Sequence, residues 1–83
     1  MASNKSQQAV CSEVAKILRR EREKRKLSMN QVAERSGLSQ QMISYVEREM
    51  RNPTLETLLR MAAAIGVDFS EILRKALENL GVR

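Results

Sequence analysis

Apolar residues recur at three- and four-residue spacing along most of the chain, and this spacing predicts helices rather than strands. The first predicted helix runs from about Ala9 to Lys26. Its apolar stripe consists of Val10, Val14, Ile17 and Leu18. No segment shows the alternation of apolar and polar residues that is expected of a half-buried strand. The sequence therefore predicts an all-α fold.

Capping residues mark the ends of the second and third predicted helices. Ser28 and Gln31 have the spacing of a capping box, in which each side chain binds a backbone N–H near the helix start. Gly37 follows about two turns later and is suited to the left-handed position that ends a helix. Ser39 is a good N-cap for a third helix that runs to about Arg48. These signals predict two short helices joined by a tight turn over residues 28–48.

The fourth and fifth helices are predicted in the same way. Pro53 ends the preceding segment and can occupy the first turn of the fourth helix, which reaches Gly66. Asp68 and Glu71 have capping-box spacing at the start of the fifth helix, which ends before Gly81. The fourth helix has its apolar stripe at Leu55, Leu58, Leu59, Ala62 and Ile65, and the fifth at Phe69, Ile72, Leu73, Ala76, Leu77 and Leu80.

Length and composition limit the chain to one small domain. The 83 residues predict a flexible segment over 1–8 and a single domain over 9–83, whose core is aliphatic because aromatic residues make up only 2%. The single cysteine, Cys11, has no second cysteine for a disulfide and no histidine for a metal site or catalytic pair. No apolar run is long enough to span a bilayer. We expect a cytoplasmic protein without a metal, cofactor, small-molecule ligand or membrane contact.

The positive charge lies in the first part of the sequence. Residues 1–52 carry eleven Lys and Arg against six Glu, whereas residues 53–83 carry four charges of each sign, so the formal net charge of +5 belongs to the first part. A basic half indicates a polyanionic partner. The run "RREREKRK" at residues 19–26 mixes both signs, however, and is equally typical of a solvated helix face. Charge alone leaves both interpretations open.

The exposed side of the third helix carries only hydrogen-bonding side chains. On a helix with 3.6 residues per turn, Met42, Ile43 and Val46 fall together on the buried side. The opposite strip contains two amides, a hydroxyl, a phenol and a guanidinium, contributed by Gln40, Gln41, Ser44, Tyr45 and Arg48. A glutamine amide can pair with two atoms of adenine in the major groove. Together with the preceding short helix and turn, this strip predicts a helix-turn-helix formed by helices 2 and 3.

The segment "LSMNQVAERSGLSQQMISYVERE" and the following "NPTLETLL" resemble the lambda-repressor/Cro-like (XRE-type) helix-turn-helix family of bacterial and phage transcription regulators. The resemblance extends from about residue 17 to residue 67. It includes Ala33 in the second helix, Gly37 in the turn, and Ser39, Ile43 and Glu47 in the third helix. It implies a compact five-helix domain that binds double-stranded DNA as a dimer, with the third helix in the major groove.

The resemblance also implies roles for individual residues. Base-reading positions are Gln40, Gln41 and Ser44, with Tyr45 at the groove edge. Phosphate contacts are expected at Asn30, Ser39, Arg48, Arg51 and Asn52. Glu47 lies at the edge of the buried arc, where an unpaired carboxylate would be costly. We expect it to form a structural ion pair with Arg22 of the first helix, which occupies the matching position.

Two positions depart from the family pattern. Met29 stands where many members have a glutamine that contacts phosphate and braces a glutamine of the recognition helix. Asn30, one residue further on, is the available polar neighbour. Glu49 stands where the loop after the third helix often has glycine, and it adds a negative charge near the expected phosphate contacts. Both departures affect the details of DNA contact more than the fold.

The fifth helix carries more apolar residues than a four-helix core needs. Because a monomer seldom exposes a large apolar patch, a two-fold interface on this helix, alone or together with the fourth helix, is expected to cover it. The predicted interface residues are Phe69, Ile72, Leu73, Ala76, Leu77 and Leu80. Such a dimer would place two recognition helices about 34 Å apart, one turn of DNA.

Two function classes remain alongside each other. The favoured one is a sequence-specific transcriptional regulator, and the alternative is a protein-interaction module of the same fold, such as an antitoxin-type partner-binding domain with secondary DNA contact. The exposed glutamine pair favours the regulator, because an adaptor has no need of it. An enzyme is disfavoured, since the sequence has neither histidine nor a phosphate-binding glycine loop. RNA binding by base stacking is disfavoured because the only aromatic residues are Tyr45 and Phe69.

Overall fold

The chain folds into five helices, as the computed structural model shows for residues 4–50 and 52–81, with side chains described from residue 7 onward. The helices are α1 (Asn4–Lys24), α2 (Met29–Ser36), α3 (Gln40–Glu47), α4 (Leu55–Ile65) and α5 (Phe69–Asn79). The all-α prediction is confirmed. None of the helices within the described ranges is long and apolar enough to cross a membrane.

Helix α1 differs from its prediction at both ends. It begins at Asn4, so that five residues of the segment predicted to be flexible are helical. The apolar stripe could not show this, because it begins only at Val10. The helix ends at Lys24 because Lys26 adopts a left-handed conformation (φ 57°), and the Leu27 N–H donates back to the Arg22 carbonyl at 3.1 Å.

The predicted caps of α2 and α3 are present. The Ser28 hydroxyl accepts from the Gln31 N–H at 3.0 Å, while the Gln31 side chain accepts from the Ser28 N–H at 2.8 Å. The Ser39 hydroxyl accepts from the Met42 N–H at 3.0 Å. Gly37 has the left-handed φ of 75° that allows α2 to end with only three residues between it and the start of α3.

The starts of α4 and α5 differ from their predictions. Pro53 lies before α4, and the N-cap is Thr54, whose hydroxyl accepts from the Thr57 N–H at 3.1 Å. The predicted capping box between Asp68 and Glu71 is replaced by a tighter arrangement. The Asp68 carboxylate accepts from both the N–H and the hydroxyl of Ser70, at 2.9 and 2.7 Å. Both bonds are accepted by the Asp68 side chain, and the reciprocal bond of a capping box, from the Asp68 N–H to the Glu71 side chain, is not formed.

One aliphatic core joins all five helices. Helix α1 packs against α3, α4 and α5, while α2 packs against α3 and α4. The largest side chains with almost no exposed surface are Val14, Leu18, Val32, Ile43, Val46 and Met61. Because α3 contributes Ile43 and Val46 to this core, its opposite face must point outward. The core therefore determines which residues of α3 are available to a partner.

Candidate DNA-binding surface

The turn between α2 and α3 is held by the side chain of Ser36, which is buried. Its hydroxyl donates to the Ala33 carbonyl at 3.2 Å and accepts from the Leu38 N–H at 3.2 Å. The Arg60 guanidinium of α4 donates to the Ser36 carbonyl at 3.4 Å. These bonds satisfy the backbone groups of a turn that would otherwise be short of partners. The turn between α2 and α3 is therefore held both by its own Ser36 side chain and by Arg60 of α4.

The predicted polar strip lies on the outer face of α3. Gln40, Gln41 and Arg48 are exposed, whereas Ser44 and Tyr45 are half-buried. Met42, which was predicted to be buried, is half-buried and packs against the edge of the core. The strip thus presents amide, hydroxyl and guanidinium groups on one continuous side of a short helix.

One hydrogen bond within this strip was not predicted from the sequence. The Gln41 Nε2 group donates to the Tyr45 hydroxyl oxygen at 2.6 Å. The two residues are four positions apart, one helical turn, which is the spacing at which side chains on a helix meet. The spacing could have indicated this contact.

The residues expected to contact phosphate are exposed wherever the structure describes them. Ser39 is exposed at the start of α3, and its hydroxyl hydrogen is not used in the capping bond. Asn30 is exposed on α2, where its amide donates to the Glu34 carboxylate at 3.3 Å. Arg48 and Asn52 are exposed at the other end of α3. Arg51 lies outside the described residues.

The loop after α3 has an unusual backbone at Glu49. The Met50 N–H donates to the Tyr45 carbonyl and the Glu49 N–H to the Val46 carbonyl, both at 3.0 Å. This is the Schellman motif, in which the residue just after the C-cap adopts the left-handed conformation and is usually glycine. Glu49 occupies that position with φ 59°. The acidic residue noted in the sequence is therefore also conformationally unfavourable.

The ion pair between Arg22 and Glu47 is present in the structure and joins α1 to α3. The Arg22 Nε and Nη2 groups donate to the two Glu47 carboxylate oxygens at 2.6 and 2.9 Å, and both side chains are buried. Donating hydrogen bonds to the Glu47 carboxylate raises the pKa of Arg22 above its usual value, so the guanidinium stays charged. The pair supports α3 from behind, away from its exposed strip.

Other arginines of the charged run at the end of α1 and just after it also contact carboxylates. Arg19 lies 3.4 Å from Glu23, and Arg25 forms an ion pair with Glu21. The hydrogen bond from Arg25 is the main reason why the pKa of Glu21 is lowered. This pairing along the helix fits a solvated face rather than a surface reserved for a polyanion.

The predicted dimer interface needs a correction. Ile72 and Ala76 are buried in the protomer's own core, with 3% and 0% of their surface exposed, so they are not available to contact a second protomer. Phe69, Leu73 and Leu77 are half-buried and Leu80 is exposed. The apolar stripe of α5 is wide because one side of it packs inward against α1, and only the other side is left.

An additional apolar surface on α4 was not part of the predicted interface residues. Leu55 and Leu59 are 62% and 46% exposed. A groove between α4 and α5 is lined by Leu59, Ala62, Ala63, Val67, Asp68, Phe69, Ser70 and Leu73. The remaining α5 residues and α4 thus form one apolar surface.

Among the described residues, no group of three or more acidic or cysteine side chains could hold a metal ion.

A five-helix domain in which a tight glycine turn presents a polar recognition helix defines the helix-turn-helix class. Residues 18–72, about two thirds of the chain, match the helix-turn-helix family. The chain therefore belongs to the XRE-type helix-turn-helix family of DNA-binding transcriptional regulators, whose function is regulation rather than catalysis.

Similar proteins include several regulators. The chain is 44% identical over 52 residues to an uncharacterized HTH-type transcriptional regulator of Sinorhizobium fredii. The aligned segment covers 63% of this chain and 68% of the relative. It is 40% identical over 52 residues to the immunity repressor protein of Bacillus phage phi105, covering 63% of this chain and 36% of that protein. It is 44% identical over 54 residues to the control protein C.SmaI of Serratia marcescens, covering 64% of each chain.

A solved structure shows the same fold over nearly the full length. It is a crystal structure of a mutant of the restriction-modification controller protein C.Esp1396I, with a TM-score of 0.77 and 21% identity. The match covers 96% of this chain and 95% of that one. It includes α1 and α5, whose outer parts lie beyond residues 18–72.

Proposed function

We propose that this protein is a sequence-specific regulator that binds double-stranded DNA as a homodimer, with α3 in the major groove. The observation that carries the proposal is the outer face of α3, where exposed Gln40 and Gln41 begin the helix directly after a rigid turn. The major groove is wide enough for such a helix and displays a distinct pattern of hydrogen-bonding groups for each base pair.

The exposed groups suggest a division of work across this surface. Gln40, Gln41 and Ser44 would contact base edges, while Tyr45 would lie at the groove edge. Phosphates would be contacted by Asn30 of α2, by Ser39 at the start of α3, by Arg48 and Asn52 after its end, and by Arg51. Phosphate contacts supply affinity and fix the position of the protein on the duplex, whereas base contacts supply specificity.

The homodimer is supported by the apolar surface of α4 and α5. Leu55 and Leu59 of α4 are strongly exposed, and Leu73 lines the groove beside them. Adjacent exposed leucines of this kind usually mark an interface, because leaving them in water is unfavourable. A two-fold contact buries the same surface of both protomers and pairs the two recognition helices, which suits an operator with inverted half-sites. A regulator of this kind would act in the cytoplasm, in contact with the chromosome.

The same apolar surface would also suit a different protein partner, which is the alternative function. Selection of bound duplexes from a random DNA pool distinguishes the two. The proposal predicts an inverted repeat whose half-sites lie about one helical turn apart, bound with strong salt dependence. If the pool yields no preferred sequence and only weak, salt-sensitive binding, the protein is a basic helical module whose partner is another protein.

A further inference from the structure

The bond between Gln41 and Tyr45 lies inside the proposed recognition surface and joins two of its members. The Gln41 amide nitrogen is 2.6 Å from the Tyr45 hydroxyl oxygen, one helical turn further along α3. Gln41 is exposed, while Tyr45 is half-buried against the protein. A rigid aromatic ring that is partly fixed by its surroundings thus holds the end of a flexible side chain.

This bond changes what the Gln41 amide can present to DNA. A glutamine side chain has several rotatable bonds, and an unconstrained amide can also turn over and exchange its oxygen and nitrogen. With one N–H donating to the Tyr45 hydroxyl, the other N–H and the Oε1 oxygen remain, one donor and one acceptor, and this order holds as long as the hydroxyl accepts rather than donates. Within the described part of the chain the Gln40 amide makes no hydrogen bond, so the two adjacent glutamines differ in freedom.

A fixed donor and acceptor match only some base edges. Adenine presents an acceptor at N7 and a donor at N6 in the major groove, whereas guanine presents two acceptors at N7 and O6. An amide held with its oxygen in place for the N6 donor would face the O6 acceptor of guanine, and two acceptors repel. Discrimination between the two purines therefore depends on the amide being unable to turn over.

We propose that Tyr45 is a positioning residue that holds the Gln41 amide in one orientation and thereby sets a preference for adenine at the base pair contacted by Gln41. The inference depends on the proposed DNA-binding function. Tyr45 acts through the Gln41 amide, and its hydroxyl oxygen is the atom that matters.

Tyr45→Phe is the variant that tests this role, because it removes the hydroxyl and keeps the ring. Competition binding with every single-base variant of the selected operator should show a loss of discrimination of about 2- to 10-fold, as expected for one neutral hydrogen bond. The loss should fall at the same base pair as that of Gln41→Ala. Gln40→Ala is the matched control, since its affected base pair should be unchanged in Tyr45→Phe.

Two further measurements separate positioning from a structural role. The double variant Gln41→Ala with Tyr45→Phe should discriminate no worse than Gln41→Ala alone, because the hydroxyl has nothing left to position. In the free protein, the NMR signals of the Gln41 side-chain amide should shift in Tyr45→Phe, while those of Gln40 stay in place and the melting temperature falls by no more than a few degrees, about the effect of one lost hydrogen bond.

Each outcome decides one point. If no DNA sequence is selected by the wild type, the proposed function fails and the inference fails with it. If the wild type selects an operator and Tyr45→Phe discriminates equally well, the inference alone is overturned. Equal weakening of all sequences would overturn it too, because Tyr45 would then contact the DNA backbone. A guanine preference at the Gln41 position would overturn it as well, because the Tyr45 hydroxyl would then be donating to the Gln41 oxygen instead of accepting from its nitrogen.

Discussion

Arg22 of α1 and Glu47 of α3 are 25 positions apart in sequence and form two parallel hydrogen bonds of 2.6 and 2.9 Å. Only 8% of Arg22 and 3% of Glu47 is exposed. The third arm of the guanidinium, Nη1, donates to the Leu27 carbonyl at 2.7 Å. One arginine therefore fixes α3 against α1 and also holds the connection between α1 and α2. The direction in which the recognition helix points depends on this residue.

Removing one partner of this pair should destabilise the fold strongly. Arg22→Met leaves the Glu47 carboxylate buried without its cation, which typically costs about 3–5 kcal/mol. Replacing both residues, with Arg22→Met and Glu47→Leu together, removes the unpaired charge and should cost much less. Urea unfolding of the three proteins gives both free energies. A single variant as stable as the wild type would show that the pair is not needed for the fold.

Replacing Glu49 by glycine should stabilise the fold, because its backbone conformation is unfavourable for a residue with a side chain. A left-handed conformation costs a residue with a side chain about 1–2 kcal/mol, and glycine avoids this cost. Part of the stability gained by the substitution is offset, because glycine has greater conformational freedom in the unfolded chain. We expect Glu49→Gly to raise the free energy of unfolding by about 1 kcal/mol. Glu49→Gln removes the charge without changing the backbone preference, so its stability should stay close to that of the wild type. If both variants stabilise equally, the charge rather than the conformation is responsible.

The cap of α5 predicts a pH dependence. Hydrogen bonds from the Ser70 hydroxyl and N–H lower the pKa of Asp68 below its usual value of 3.8. Because the folded-state pKa is the lower one, the carboxylate stabilises the fold above pH 3.8, and this contribution is lost as the pH falls through the folded-state pKa. Asp68→Asn can still cap the helix but does not titrate there. The melting temperature should therefore fall less steeply between pH 6 and about pH 2 in Asp68→Asn than in the wild type. Identical slopes would mean that other carboxylates determine the acid sensitivity.

The fold could be predicted because its signals are local. Ser28, Ser39 and Gly37 act within one helical turn of their own positions, and each does in the structure what its residue type favours. The exceptions occur where two local options compete. The Asp68 carboxylate could accept from the N–H groups at the start of α5 in more than one way, and it accepts from the N–H and hydroxyl of Ser70, two residues away, without the reciprocal bond to the Glu71 side chain. Spacing alone does not rank such alternatives.

The surface could be predicted less completely, because exposure depends on contacts between distant segments. The apolar stripe of α5 contains both Ile72, which is buried, and Leu80, which is exposed, and only the packing of α1 separates them. The sequence also indicated that Met29 removes a brace for the recognition helix. It did not show that the Tyr45 hydroxyl accepts a hydrogen bond from the Gln41 amide within α3. The left-handed backbone at Glu49 was likewise visible only as an unusual residue type.

The proposed dimer can be tested by placing a charge on its apolar surface. Leu59→Glu would bury a carboxylate on each side of a two-fold interface, and we expect the dissociation constant to rise by more than about tenfold. Gln31→Glu makes the same change of charge at an exposed capping position of α2 and should leave the assembly unchanged. Sedimentation equilibrium at micromolar concentration measures both. A wild type that stays monomeric under these conditions would contradict the proposed homodimer.

The two ends of the recognition surface should respond differently to substitution. Gln40→Ala removes an amide from the start of α3 and should reduce discrimination at one base pair per half-site by about 1–3 kcal/mol. Arg48→Ala removes an exposed cation at the other end and should weaken binding to all sequences alike. Each lost phosphate contact reduces the slope of log K against log salt concentration by about 0.9, so a dimer should lose about 2. Binding titrations of matched and mismatched operators at several salt concentrations separate the two effects. Identical behaviour of both variants on matched and mismatched DNA would mean that base reading and phosphate binding are not divided between these residues.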